Sequence, residues 1–192
     1  MEDIILLNIE QVINIQRNTL PQGAVVDFGK LEGALSRVRN HQHYQNCNDK
    51  FELAALYLTA IAKAHAFADA NKRTAFIACA AFLLANGIKL EKSSFYLTKL
   101  TVMVAGDKAT VEETAMLLAL FSDFYTQATN DTYKANSEEE RIYYNLAIAM
   151  SLSKSDDASR INLMMKTVHN LIHDDELNAM TNQIFESYQD KN

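Results

Sequence analysis

His65-Ala66-Phe67-Ala68-Asp69-Ala70-Asn71-Lys72-Arg73-Thr74 joins two segments that both read as helices. Before it, Phe51, Ala54, Ala55, Leu58, Ile61, Ala62 and His65 fall on one helical face, and Asp49 is placed to cap that helix. After it, residues 71–85 are apolar all round beyond Thr74, as in a central buried helix, and Asn86-Gly87 supplies the stop. A short polar loop between two apolar helices sets the expected fold class: all-α, a helical bundle.

The rest of the chain agrees. Gly 5 and Pro 1 in 192 residues leave few turn-makers, so long helices and few hairpins are expected. Apolar positions recur at helical spacing through 3–17 (Ile5, Ile9, Val12, Ile13), and Pro21-Gln22-Gly23 ends that pattern. Ala24-Val25-Val26 suits a short extended flap. Asp27 is an expected N-cap for a helix through Arg39, and residues 40–48 read as a polar connection. Ser93 or Ser94 opens a helix to about Ala105, and Gly106-Asp107 turns the chain. Thr110 and Glu113 have capping-box spacing for a helix to about Gln127. Composition shifts at 128–137, which reads as a linker. Ser137-Glu138-Glu139-Glu140 then starts a region of two or three helices, with turns near Ser155-Asp156 and His173-Asp174. The expected organisation is a core domain at 1–127 and a helical extension at 128–192.

Composition narrows the function classes. A hydrophobic fraction of 48% supports a packed core. A net charge of −6 disfavours a large nucleic-acid footprint, and no basic recognition helix is visible. The longest apolar run, Ala75 to Ala85, is far shorter than the ~18–20 residues that cross a bilayer, so no membrane span is expected. The N-terminus shows no secretory pattern. Cys47 and Cys79 have no metal-ligand spacing, and a reducing, cytoplasmic setting fits them. His41, His43 and Cys47 lie close in sequence, but their spacing is poor for zinc and no further ligand is near, so no metal is expected there.

The central loop carries the chemistry. A helix start exposes unpaired N–H groups and a partial positive charge, a ready anion site. Ala68 and Ala70 are small enough to let an anion approach the backbone. Lys72 and Arg73 add positive charge, and Arg73 can bind two phosphate oxygens at once. Asp69 is a hard oxygen ligand suited to Mg²⁺. His65 can take a proton from an attacking hydroxyl near neutral pH. Phe67 is an expected core anchor. Plainer readings exist for each: a hydrogen-bonded core histidine, an Asp69 that merely caps the next helix, solvated first-turn cations. Taken together the residues suit phosphoryl or nucleotidyl transfer, in which positioning and charge stabilisation carry most of the catalysis.

The pattern His-x-Phe-x-Asp-Ala-Asn-Lys-Arg-Thr resembles the signature of the Fic/Doc family, in its Doc (death on curing) toxin branch. Leu20-Pro21, Leu31-Glu32-Gly33-Ala34-Leu35-Ser36-Arg37, Phe51-Glu52-Leu53-Ala54, Tyr57-Leu58 and Phe82-Leu83-x-x-Asn86-Gly87 extend the resemblance over roughly residues 5–125. It implies a Fic/Doc-like helical bundle that uses ATP and Mg²⁺ to modify a hydroxyl of a cytoplasmic protein. By motif match, His65 is the base and Asp69 positions Mg²⁺. Lys72 and Arg73 are assigned to catalysis. Lys63, Phe67, Ala70, Asn71, Lys72 and Arg73 are assigned to holding the donor. The flap at Pro21 to Asp27 would dock an extended target segment.

Departures from the pattern decide what is transferred. The AMP-transferring branch reads Gly-Asn-Gly-Arg-x-x-Arg where this chain has Ala70-Asn71-Lys72-Arg73-Thr74-Ala75-Phe76. Lys72 replaces the second Gly and Phe76 the second Arg. A side chain then stands where bare backbone would meet phosphate, and one phosphate clamp is missing. In Doc-like members this change goes with transfer of the terminal phosphate, a kinase activity toward a translation elongation factor. The expectation is therefore a Ser/Thr kinase. The alternatives are AMPylation and a catalytically inactive binding module. A toxin of this branch leaves room for an antitoxin partner. Some Fic proteins carry an inhibitory helix with Ser/Thr-x-x-x-Glu-Gly/Asn. Ser137-Glu138-Glu139-Glu140-Arg141 has Arg at the Glu position and does not match.

Overall fold

The computed structural model describes residues 4–21, 27–91, 95–152 and 158–189, with the backbone alone described at 130–132, 185 and 187–189. The fold is all-α, as expected. Helices run α1 Ile9–Thr19, α2 Phe28–Tyr44, α3 Lys50–Ala64, α4 Asn71–Ala85, α5 Phe95–Ala105, α6 Val111–Leu120, α7 Asp123–Thr132, α8 Glu138–Leu152, α9 Ala158–His173 and α10 Asp175–Gln189. Leu90 and Ser122 form an isolated antiparallel bridge. No helix of the described residues is long and apolar enough to cross a membrane.

The chain forms two compact units, one of residues 1–89 and 104–115 and the other of 90–103 and 116–192. In the first, α3 packs against α2 and α4, and α1 packs against α4. Its core is deeply buried: Val12, Leu31, Leu53, Leu58, Ile61, Cys79 and Phe82 have no exposed surface. Burial pushes the Cys79 thiol well above its usual range. Tyr57 lies 5.0 Å, centroid to centroid, from Phe82. The Tyr57 hydroxyl accepts from the Leu7 N–H at 2.9 Å, and its burial drives its pKa up to about 12.

Those last contacts explain where α1 begins. Apolar spacing suggested a helix from residue 3, but Ile4 to Leu7 are not helical. The Asn86 side chain accepts from Ile5 N–H and donates to Ile5 carbonyl, both at 2.9 Å, and Tyr57 holds Leu7. Tertiary partners for the backbone override the helical pattern. Asn8 then caps α1 in a capping box with Gln11.

Helix α2 also departs from expectation, continuing past Arg39 to Tyr44. Its start is capped by Asp27, which accepts from Lys30 N–H at 3.0 Å. Asp49 caps α3 by accepting from Phe51 and Glu52. Helix α4 has the expected limits and ends on Gly87 at φ 81°, with Ile88 N–H returning to Leu83 carbonyl at 2.9 Å. The flap at 22–26, the Ser93/Ser94 helix start and the Ser155-Asp156 turn lie outside the described residues.

In the second unit, the linker expected at 128–137 is helical as far as Thr132. Thr129 is fully buried and donates to Asn145 of α8, whose amide donates to Leu120 carbonyl at 2.7 Å. Buried polar pairing of this kind ties the segment into the unit, although its composition resembles a loop. The helix expected through 110–127 is instead two, broken at Phe121-Ser122, where Glu91 N–H donates to Phe121 carbonyl at 2.9 Å. Glu91 is itself buried, which pushes its carboxyl up, while Thr126 and an Arg141 guanidinium at 2.6 Å oppose that shift. Lys99 has no exposed surface; its ammonium donates to Ile172 carbonyl and to Asn178 Oδ1 at 2.5 Å. An ammonium at the carboxyl end of α9 complements the helix dipole there.

Candidate active site

The loop between α3 and α4 is bracketed by two residues in the left-handed region. His65 closes α3 at φ 48°, ψ 42°, and Ala70 precedes α4 at φ 63°, ψ 19°. Neither is glycine, and each left-handed non-glycine residue costs about 1–2 kcal/mol. The loop is therefore held in shape by its surroundings. Phe67 is 4% exposed and Ala66 2%, so the middle of the loop is anchored in the core. Asn71 clasps it from α4: its Oδ1 accepts from Phe67 N–H at 3.1 Å and its Nδ2 donates to Phe67 carbonyl at 2.7 Å. Asp27 N–H donates to Ala66 carbonyl at 2.7 Å, so the residue that follows the flap is tied to the same loop.

This geometry changes the reading of three residues. Asn71 was assigned to donor phosphates, but both ends of its amide serve Phe67, making it the clasp of the loop. Phe67 was assigned to the donor, but its ring is buried and its N–H and carbonyl both bond to Asn71, so it anchors the loop. Lys63 was assigned to the donor, but its ammonium forms an ion pair with Asp107, in the turn after α5. The Asn71 clasp has a signal in the sequence, an Asn four residues after the loop's aromatic anchor. The Lys63–Asp107 pair has none, because 44 residues separate the partners.

The remaining residues are presented outward. His65, Asp69 and Lys72 are exposed, and Asn71 and Arg73 half-buried. Asp69 does not cap α4. Its Oδ1 accepts from the adjacent Ala70 N–H at 2.5 Å, and α4 has no side-chain cap at all. The plainer reading of Asp69 as a cap is thereby removed. Among the described residues, no N-cap side chain bonds to the first turn of α4, which stands at the positive end of a helix dipole and carries Lys72 and Arg73. Such a helix start is the kind that accepts an anion, and an exposed carboxylate stands one residue before its N-cap. Phosphate oxygens on those amides and a Mg²⁺ on Asp69 are chemically compatible with this donor set.

The comparisons with known proteins match the same part of the chain. Residues 5–83 match the description Fic/DOC family. Over 89 residues the chain is 39% identical to "Protein kinase doc" of Escherichia phage P1, covering 46% of this chain and 70% of the phage protein. This chain belongs to the Fic/DOC family. The matched range contains α1 to α3, the loop and most of α4, so the family likeness covers the candidate site. The Fic/DOC position that carries Gly in the AMP-transferring pattern is Ala70 here. Its left-handed backbone shows what a glycine would serve at that point.

Proposed function

We propose that this chain is a Doc-like toxin kinase that moves the terminal phosphate of ATP to a Ser or Thr hydroxyl of a protein, with a translation elongation factor as the target to try first. The observation that carries this reading is the uncapped start of α4, with exposed His65 and Asp69 on the loop before it and exposed Lys72 within its first turn. The 39% identity to a protein named a protein kinase supports the choice of phosphate over AMP. Lys72 and Phe76 at positions where the AMP-transferring pattern has Gly and Arg support the same choice.

In this mechanism the first-turn amides of α4 and the Arg73 guanidinium hold the donor phosphates. Asp69 would hold Mg²⁺, which spreads the negative charge of the phosphate chain. Lys72 places a further cation where charge develops on the transferred group. His65 removes the proton of the target hydroxyl as its oxygen attacks phosphorus, and ADP leaves. Phe67 and Asn71 keep His65 and the α4 amides in register. The extended flap would present the target segment, and an antitoxin protein is the natural restraint on such an activity. The test is incubation of the purified chain with ATP, Mg²⁺ and cell extract, followed by mass spectrometry of modified proteins. A phosphate added to Ser or Thr is expected, and an added AMP would reject the kinase reading.

A further inference from the structure

At the far end of α3 from the loop, the fold assembles a group that the sequence spacing did not reveal. His41 lies in the last turn of α2, Cys47 in the turn that follows, and Glu52 in the first turn of α3. One ligand atom from each lies within 4.8 Å of the other two. His41 Nε2 is 2.7 Å from Glu52 Oε1, and Cys47 Sγ is 3.5 Å from Glu52 Oε2. Glu52 was the missing ligand. It stands five residues from Cys47, across a chain reversal whose direction the spacing alone does not disclose.

The turn that gathers these groups is well determined. Gln45 N–H donates to His41 carbonyl at 3.1 Å, and Cys47 N–H to Gln42 carbonyl at 3.2 Å. Asn46 adopts φ 50°, which swings Cys47 back toward α2. Asp49 caps α3 directly beyond, so Glu52 starts from a fixed first turn. His41 and Glu52 are partly exposed, at 19% and 39% of their side-chain surface, so an ion can enter from solvent.

We propose that His41, Cys47 and Glu52 form a site for a divalent transition metal of the zinc class, which clamps the α2–α3 turn. The donor set is one imidazole, one thiolate and one carboxylate, the three side-chain types that Zn²⁺ takes. At bond lengths of about 2.0–2.3 Å, tetrahedral ligands lie roughly 3.3–3.8 Å apart. Glu52 meets His41 through Oε1 at 2.7 Å and Cys47 through Oε2 at 3.5 Å, and one ligand atom from each residue lies within 4.8 Å of the others, so side-chain shifts of about an ångström bring them to that range. Three protein ligands leave the fourth position to water. On binding, the Cys47 S–H gives its proton to solvent and the sulfur takes up the metal; the His41–Glu52 contact is replaced by two metal bonds. Glu52 begins and Ala64 ends a stretch of α3 about 18 Å long, so this site is separate from Asp69 and the Mg²⁺ assigned to it.

The test uses the full chain with Zn²⁺ alone and then Co²⁺ alone. Calorimetric titration is expected to give one saturable Zn²⁺ equivalent. Cys47→Ser and His41→Ala, each confirmed folded by circular dichroism, are each expected to weaken it by about tenfold or more. Co²⁺ should produce a thiolate-to-metal charge-transfer band that Cys47→Ser removes. Without any variant, Zn²⁺ should protect Cys47 from alkylation, the other thiol, Cys79, being fully buried. No saturable binding, or no thiolate band, or binding that survives in either variant and so lies elsewhere, for example at His65 and Asp69, overturns the proposal.

Discussion

Two helices that share a hairpin begin in opposite ways. Helix α3 starts on Asp49, whose carboxylate accepts from Phe51 N–H at 2.8 Å and from Glu52 N–H at 3.2 Å. Helix α4 starts on Ala70, with no side-chain cap, although Asp69 stands next to it. Asn8 and Asp27 close α1 and α2 in the same manner as Asp49. An uncapped start, here at α4 and also at Ser122 before α7, is a cost in stability, since a good cap contributes about 1 kcal/mol. In α4 that cost comes together with left-handed Ala70 and His65. Strain and an uncapped helix start in one loop are the pattern expected where a chain gives up stability for a ligand, as the proposed function requires. The capped start of α3 marks a place where it does not.

The comparison can be broken by substitution. The largest effect belongs to His65→Ala, which should lower phosphate transfer by about 10²–10⁴-fold as the base is lost, with an unchanged circular dichroism spectrum. Transfer at the wild-type rate would remove His65 from the base role. Next comes Asn71→Ala, which strips both partners from Phe67. Displacement of the loop should cost about 10²-fold in rate, and the two orphaned backbone groups about 1–3 kcal/mol in stability. Denaturant melts and transfer assays on the same variant check both, and loss of rate with no loss of stability would contradict the clasp.

The smaller effects separate the two helix starts. Asp49→Ala should cost about 1 kcal/mol, read as a fall in the melting temperature of about 2–4 °C. Its transfer rate should be unchanged, because this cap serves structure only. Ala70→Gly should move the other way, relieving left-handed strain and raising the melting temperature by up to about 2–4 °C. A fall on Ala70→Gly would mean that the buried methyl matters more than the backbone angle.

Much of this was readable before any coordinates. Local signals were reliable: Asp27 and Asp49 cap where expected, α4 has its expected ends, and Thr110 and Glu113 form the capping box, with Thr110 N–H donating to Glu113 at 2.8 Å and Glu113 N–H to Thr110 at 3.1 Å. These depend on residues within one helical turn of each other. What failed depended on distant partners. Ile4 to Leu7 look helical but lie outside any helix, with Ile5 and Leu7 bonded to Asn86 and Tyr57. Residues 128–132 look like a linker but are helical, with Thr129 bonded to Asn145. At the site, residue types suggested a phosphate donor, whereas the structural roles came from geometry: Asn71 clasps, Phe67 anchors, and Lys63 pairs with Asp107.

The central claim is that the open start of α4 directs the terminal phosphate of ATP to a protein hydroxyl. Parallel incubations with ATP labelled at the γ- or the α-phosphate, each with Mg²⁺ and cell extract, and each with wild type and His65→Ala, test it most directly. The account predicts a labelled protein band from the γ-label with wild type alone. A band from the α-label, or a γ-label band that persists in His65→Ala, would contradict it.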